Sequence, residues 1–431
     1  MCLYQQFRRS RSPRRYGNDH GIALISALMF LVVLALLGTT AAMVTTLYSQ
    51  ISGNYKTSVQ AFQAAEAGAE EARARLRGGA ANAANKIDDN FSTQTDWKAY
   101  IGSLTQAQAY GYTSGAHQVR ADSLQNALQY TAVITHATNS GGQILYWGDA
   151  TGTGVYGRNT TTGKNIYLVT SYGTTASAHS TVQTQVAPLQ SPPLRGTLYV
   201  KASTTISGNA NINGLDQCAP SPAQAVNLPG IVTTLDQTTI DRNGSSYSIQ
   251  GSPTGIVDHD TPPLDIQGIM DSFNPVVDKS YTAHNVTQTA NTTPGPADNW
   301  GTPTPGLDDQ HHPDQSKPSS CTDYNIIHYN TDSGTGRGYI KLSGGVQGCG
   351  LLLVEGDLEI SGDFSWYGAI VVTGAISYTG GGNKNVTGAM LAGGAVQADV
   401  IGGNTNIVNC SNALRTRSQT GPLRVLSWGT L

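Results

Sequence analysis

Three groups of residues have types and spacing that could do chemistry. Asp258-His259-Asp260 and the run Asp308-Asp309-Gln310-His311-His312-Pro313-Asp314 set imidazoles among carboxylates. Such donors suit zinc or calcium, with Asp258, His259, Asp260, Asp308, His311 and His312 as the candidate ligands. Both stretches sit among Pro, Asp and Gln, which reads as solvated loop, so no metal and no cofactor is expected. Asn330-Thr331-Asp332-Ser333-Gly334 opens like a calcium loop but lacks its closing glutamate. There is no HExxH and no GxSxG, and Gly163-Lys164 runs into Asn165 without the glycine spacing of a phosphate loop. No enzyme is expected.

The third group is the cysteines. Cys2 lies near the start, and Cys218, Cys321, Cys349 and Cys410 lie in the C-terminal half. Four separated cysteines in an exported body favour two disulfides, and three pairings are open. Cys218 and Cys321 flank a proline-rich segment, which gives Cys218–Cys321 with Cys349–Cys410 as the expected pairing.

These residues need a scaffold, and composition bounds it. Of 431 residues 39% are apolar and only 12% charged, with 50 glycines. That balance suits an extracellular β-rich body whose turns use Gly and Asn and whose strands use Thr, Val and Ile. A net charge of −3 with 25 Lys plus Arg gives no surface for nucleic acid. The one basic cluster, Arg8, Arg9, Arg11, Arg14 and Arg15, precedes an apolar run and reads as a topology signal.

That run, Ile22 to Val44, holds 23 residues, enough to cross a hydrocarbon core of about 30 Å. A signal peptide cut near Ala42 and a plain single-pass anchor are the commoner readings of such a run. The helical pattern continues beyond it, however. Val59, Phe62, Ala65, Ala69, Ala72 and Leu76 recur at three- and four-residue spacing. Glu70 and Glu71 precede Arg73 and Arg75 at pairing distance, and Gly78-Gly79 ends the pattern. One helix over 22–77 is predicted, its second half packing the Val59–Phe62–Leu76 stripe on a soluble domain.

Gly21-Ile22-Ala23-Leu24-Ile25-Ser26-Ala27-Leu28, followed by Gly53-Asn54-Tyr55 and Ala61-Phe62-Gln63-Ala64-Ala65-Glu66-Ala67-Gly68, resembles the PilX N-terminal family of type IV minor pilins. The resemblance implies a leader, 1–21, removed after Gly21 by prepilin peptidase, and a methylated amine on Ile22. It implies that Ile22, Leu24, Ile25, Ser26, Leu28 and Phe30 lie in the membrane and then in the fibre core. Val59, Phe62, Ala65, Glu66, Ala69 and Leu76 would pack on the sheet. Major pilins carry a glutamate where this chain has Ser26. That carboxylate pairs with a neighbour's N-terminal ammonium in hydrocarbon, where an unpaired charge is costly. Ser26 therefore implies a subunit that starts, caps or is sparse in a fibre. The partners implied are other major and minor pilins, prepilin peptidase, the inner-membrane assembly platform and a tip adhesin. The location implied is the inner membrane, single-pass with the C-terminus outside, and then the fibre or cell surface. Two alternatives stand beside it: a type II secretion pseudopilin near the tip, and an exported β-helix carbohydrate-binding or carbohydrate-active protein with an N-terminal anchor.

The fold class expected is α+β: a long helix (22–79, membrane part 22–48) on an antiparallel sheet (80–187), then a β-rich domain. Tyr130–Thr135, Gln143–Trp147, Asn165–Ser171 and Ser180–Val186 alternate as strands. Ala187–Arg195 is a proline-rich joint. Beyond it, 196–431 reads as a β-helix-like stack or a sandwich. It is interrupted by an insertion, 219–320, with local helix at 265–273 and a mobile stretch at 291–317.

Overall fold

The computed structural model describes residues 19–77, 87, 93–113, 118–120, 129–175, 177–219, 221–243, 246–307, 313–314, 320–331, 338–396, 398–414 and 423–431. The arginine cluster, the Gly78-Gly79 stop, Asp308, His311, His312 and Asp332-Ser333-Gly334 lie outside the described residues.

Helix α1 runs Asp19–Arg77, 59 residues, or about 88 Å at the usual rise. Its sequence is rich in Ala and Leu and free of proline. Its threonines turn their hydroxyls back on the helix, as Thr45 Oγ1 does to the Ala41 carbonyl at 2.8 Å. Ion pairs join Glu70 to Arg73 and Glu71 to Arg75 on the second half, the latter with Arg75 Nε 2.7 Å from the carboxylate.

That second half lies on a six-stranded sheet. Five strands come from the segment that follows: β1 (Lys98–Ile101), β2 (Gln118–Arg120), β3 (Gln129–His136), β4 (Tyr167–Thr174) and β5 (His179–Pro188). Their order is β2–β1–β3–β4–β5, antiparallel except for β1 with β2. Alternation sends Ala132, Ile134, Val169, Val182 and Val186 inward, against Ala65, Ala69 and Ala72 of α1. The contact is a seam of small residues. A Cβ on Gly173 would stand 2.0 Å from the Ala61 carbonyl oxygen, and one on Gly68 2.3 Å from Ser171 Oγ.

The sixth strand is Leu423–Thr430, antiparallel to β5 from Leu423↔Pro188 to Thr430↔Val182. Residues 423–430 therefore belong to the head. The expected domain 196–431 is corrected: the second body is inserted between two neighbouring strands of the head sheet.

That body is a parallel β-solenoid, which settles the choice between stack and sandwich. Five of its strands are used below: β6 (Asn209–Asn213), β7 (Val346–Glu355), β8 (Phe364–Val372), β9 (Asn383–Ala392) and β10 (Asn404–Val408). Register partners Val346, Phe364 and Lys384 set successive coils 18 and 20 residues apart. Gly350, Gly368 and Gly388 stack in register at φ 104°, 141° and 145° and turn each long strand through a corner. Side chains there are barred twice, since a Cβ on Gly388 would meet the Gly368 carbonyl at 1.8 Å. Inside, like residues stack: Leu352, Ile370, Met390, Leu198 and Ile231 form one buried ladder. Each such side chain contributes about 1.5–3 kcal/mol through burial.

The expected insertion 219–320 is corrected too. Ile231–Thr233, Ile240–Arg242 and Ser248–Gln250 pair in parallel with Leu198–Val200, Thr204–Ile206 and β6, adding a coil at one end. Lys279–Thr282 and Val286–Thr289 pair with Asn325–Asn330 and Tyr339–Ser343, adding one at the other. Helix α2 (Ile266–Phe273) carries the chain between these ends. It covers the outward ladder of Tyr199, Leu353, Val371 and Leu391 with Ile266, Ile269, Met270 and Phe273. Trp300, inside the expected mobile stretch, is 1% exposed and packs on Tyr329 and Trp366 in the solenoid interior.

Candidate functional site: a bare helix below, a displayed solenoid above

From Ile22 to Tyr55, α1 touches nothing. Its large apolar side chains are 48–72% exposed, and no charged residue occurs between them. Ile22, Leu24, Ile25, Leu28 and Phe30 belong to this bare stretch. Leaving them in water forfeits about 1.5–3 kcal/mol each, so this half requires lipid or other helices around it. It is long and apolar enough to cross a membrane. Ser26 fits such a setting, because its hydroxyl donates to the Ile22 carbonyl at 2.8 Å and so leaves no open polar group. The Gly21–Ile22 bond lies within the first turn of α1.

The seated half differs from the expected stripe. Ala65 and Ala69 are buried in the head core, while Phe62 and Leu76 flank it half-buried. Val59 and Glu66 are also half-buried. Phe62 meets Trp428 of the returning strand edge to face at 6.3 Å. Sequence periodicity favoured the large residues; the small ones carry the contact because the backbones approach so closely.

Head and solenoid are pinned together. The Asp149 carboxylate accepts from the backbone N–H of Thr151 at 3.0 Å and Gly152 at 2.8 Å. Burial pushes Asp149 up, yet these donors with Gly154 hold it below the usual carboxylate value. Arg195 then bridges this loop to the solenoid side, donating to the carbonyls of Gly152 at 2.7 Å and Pro262 at 2.6 Å and pairing with Asp260. On the other side Arg424 donates to the Ser272 carbonyl at 2.7 Å and lies 4.6 Å over the Trp147 ring.

Asp260 is thus taken from the expected metal triplet. Asp258 and His259 meet Asp236 instead, with ligand atoms within 4.8 Å of one another. His259 Nε2 is 3.5 Å from the Asp236 carboxylate. Asp236 accepts from Thr238 N–H at 2.8 Å, and this bond holds its pKa down. Asp236 and His259 are exposed, a solvated loop cluster as the composition predicts.

The cysteines correct the expected pairing. The structure joins Cys218 to Cys410 and Cys321 to Cys349, with Cα atoms 5.0 and 6.3 Å apart. All four meet around Tyr367 and Ala413. Coil stacking decides this. Cys349 and Tyr367 are register partners, and Asn409 donates its N–H to the Asn213 carbonyl at 2.7 Å, which draws Cys410 to the loop after β6. In the entropy model the 192-residue loop contributes about 5 kcal/mol and the 28-residue loop about 3.5 kcal/mol.

Sequence reasoning also missed a buried cation. Lys384 is 0% exposed and turns inward, donating to the carbonyls of Gly380, Gly381 and Gly382 at 3.0, 3.3 and 3.4 Å. Burial lowers its pKa. Its place between two outward asparagines, in Asn383-Lys384-Asn385, is the only sequence signal.

A helix half seated on an antiparallel sheet and half bare and apolar, below a large β-rich extension, defines a type IV pilin-like protein. The N-terminal segment is that of the minor pilins: the family model described as PilX N-terminal matches residues 20–70. The chain is also similar to the crystal structure of the competence-associated pilin ComZ from Thermus thermophilus. That match has 12% identity and a TM-score of 0.23, and covers 87% of this chain and 97% of that one. No curated protein matches the chain.

Proposed function

We propose that this chain is a minor subunit of a type IV pilus that acts in initiation or at the tip and holds its solenoid outward for surface contact. The observation that carries the reading is the division of α1. An ordinary anchor accounts for the bare half but gives no role to the Ala61–Leu76 half seated on the head. Ser26 supports a sparse or terminal place, since no carboxylate is present there to pair with a neighbour's ammonium in hydrocarbon. The helix first rests in the inner membrane with the head outside, then joins the helices of major and minor pilins in a fibre. Prepilin peptidase, the assembly platform and a tip adhesin are the partners on this reading, and no reaction is catalysed.

Mass spectrometry of the mature N-terminus tests it. The expected chain begins at methylated Ile22. A chain beginning near Met43, or one that keeps its leader, would overturn the proposal. Deleting the protein is expected to lower pilus number more than its share of sheared fibre mass; a fibre made mainly of this chain would refute the minor role.

A further inference from the structure

We propose that the outward face of the solenoid formed by β6 to β10 binds a neutral polyhydroxylated polymer, a glycan chain laid across the strands. The inference goes beyond the subunit role and does not depend on it.

The face is a row of amides and hydroxyls held in register. Gln347, Ser365, Asn385, Asn406, Asn211 and Ser248 occupy one outward position on six successive strands. At about 4.8 Å per strand the row is about 24 Å long. Two residues away runs a second, exposed row of Asn383, Asn404 and Asn209. Asn211 Nδ2 donates to Asn406 Oδ1 at 2.7 Å, and Asn404 donates to Asn383. Each amide so used still has hydrogen-bonding capacity for a ligand.

Fold stability does not ask for these residues. Asn is among the poorest strand formers, and Thr or Val at outward strand positions would serve the sheet better. A local rule broken at six register positions marks a surface kept for another purpose. The rows also lead into a groove of about 290 Å³ lined by Val346, Gln347, Asp363, Ser365, Asn383 and Asn385. That volume is close to the lower end for ligand sites.

The chemistry selects the ligand. The two rows hold no Lys, Arg or large apolar residue, and Lys384 between them faces inward. A polyanion would need cations, and a protein partner would need aromatic or arginine anchors. A side-chain amide offers a donor and an acceptor side by side, which matches the vicinal hydroxyls of a sugar ring. A repeating row suits a repeating ligand.

The test uses the full mature chain in detergent, passed over cellulose, chitin and amylose, with heparin and duplex DNA beside them. Retention on at least one neutral glycan is expected. The variant Asn211→Thr/Asn385→Thr/Asn406→Thr should lose it at least 10-fold with an unchanged or raised Tm, because Thr is the better strand residue. A second variant, Gln347→Ala/Asn383→Ala, removes the groove amides alone and should lose it likewise. No retention of the parent on any neutral glycan, retention only on the polyanions, or equal retention of both variants would overturn the inference. Pilus counts separate it from the subunit reading. Normal piliation with lost glycan retention is expected, whereas lost piliation with retention intact would make the strip a subunit contact and end the proposal. A mature N-terminus other than Ile22 would remove the pilin role and leave the retention result standing.

Discussion

Asp399 sits in the solenoid wall with no solvent exposure. One carboxylate oxygen accepts from the Ile376 N–H at 2.8 Å, and the other has no partner. Burial pushes its pKa up to about 7, against 3.8 for a free carboxyl. The native state therefore keeps a proton that the unfolded chain gives up near pH 4. The stability this lends is full below pH 4 and is lost as pH rises through 7, by roughly 4 kcal/mol in all. Asp399→Asn keeps the acceptor for Ile376 and removes the titration. The expected result is a flatter Tm profile between pH 4 and 7 and a higher Tm than the parent at pH 7.5, read by thermal denaturation. Parallel profiles for the two proteins would count against a protonated Asp399.

Among the elements, α1 shows what sequence can and cannot carry. Its span was legible because a charge-free run of this length has few other uses, and its second half because Glu–Arg pairs and period 3.6 persist beyond it. The seat was less legible, since alanine and glycine seldom advertise a buried face. Gly173 on β4 tests the seat. Its Cβ would stand 2.0 Å from the Ala61 carbonyl, an atom that cannot rotate away. Gly173→Val is expected to cost about 1–3 kcal/mol and to lower the Tm of the head by several degrees. The same change at Gly157, where nothing lies within 4 Å, should have little effect. The head strands were legible from alternation. The coils within 219–320 were not, because strands of two to four residues between prolines have no period to detect. The amide rows were visible as Asn-x-Asn pairs, but their alignment depends on which coil stacks on which.

At the scale of the whole molecule, the expected boundary at 196–431 failed for one reason: LRVLSWGT looks like another solenoid strand. Its pairing with β5 makes the solenoid an excursion from a hairpin. Pro188 and Leu423 are direct partners, so the head can close without what lies between. Replacing residues 189–422 by a two-residue Asn-Gly turn is expected to leave a folded head. It should show a cooperative thermal transition and protection of its six strands in hydrogen exchange. A molten or aggregated product would mean that Arg195 and Arg424 are required to hold the head together.

The same return strand orders events during synthesis. Leu423–Thr430 leaves the ribosome after every coil of the solenoid, so the head sheet keeps an open edge at β5 until the display body has been made. Phe62 waits as long for Trp428. The portion of the chain that meets neighbouring subunits is thereby finished last, and a polypeptide halted anywhere inside the solenoid emerges with its head unsealed. Completion of the cargo is written into the shape of its carrier.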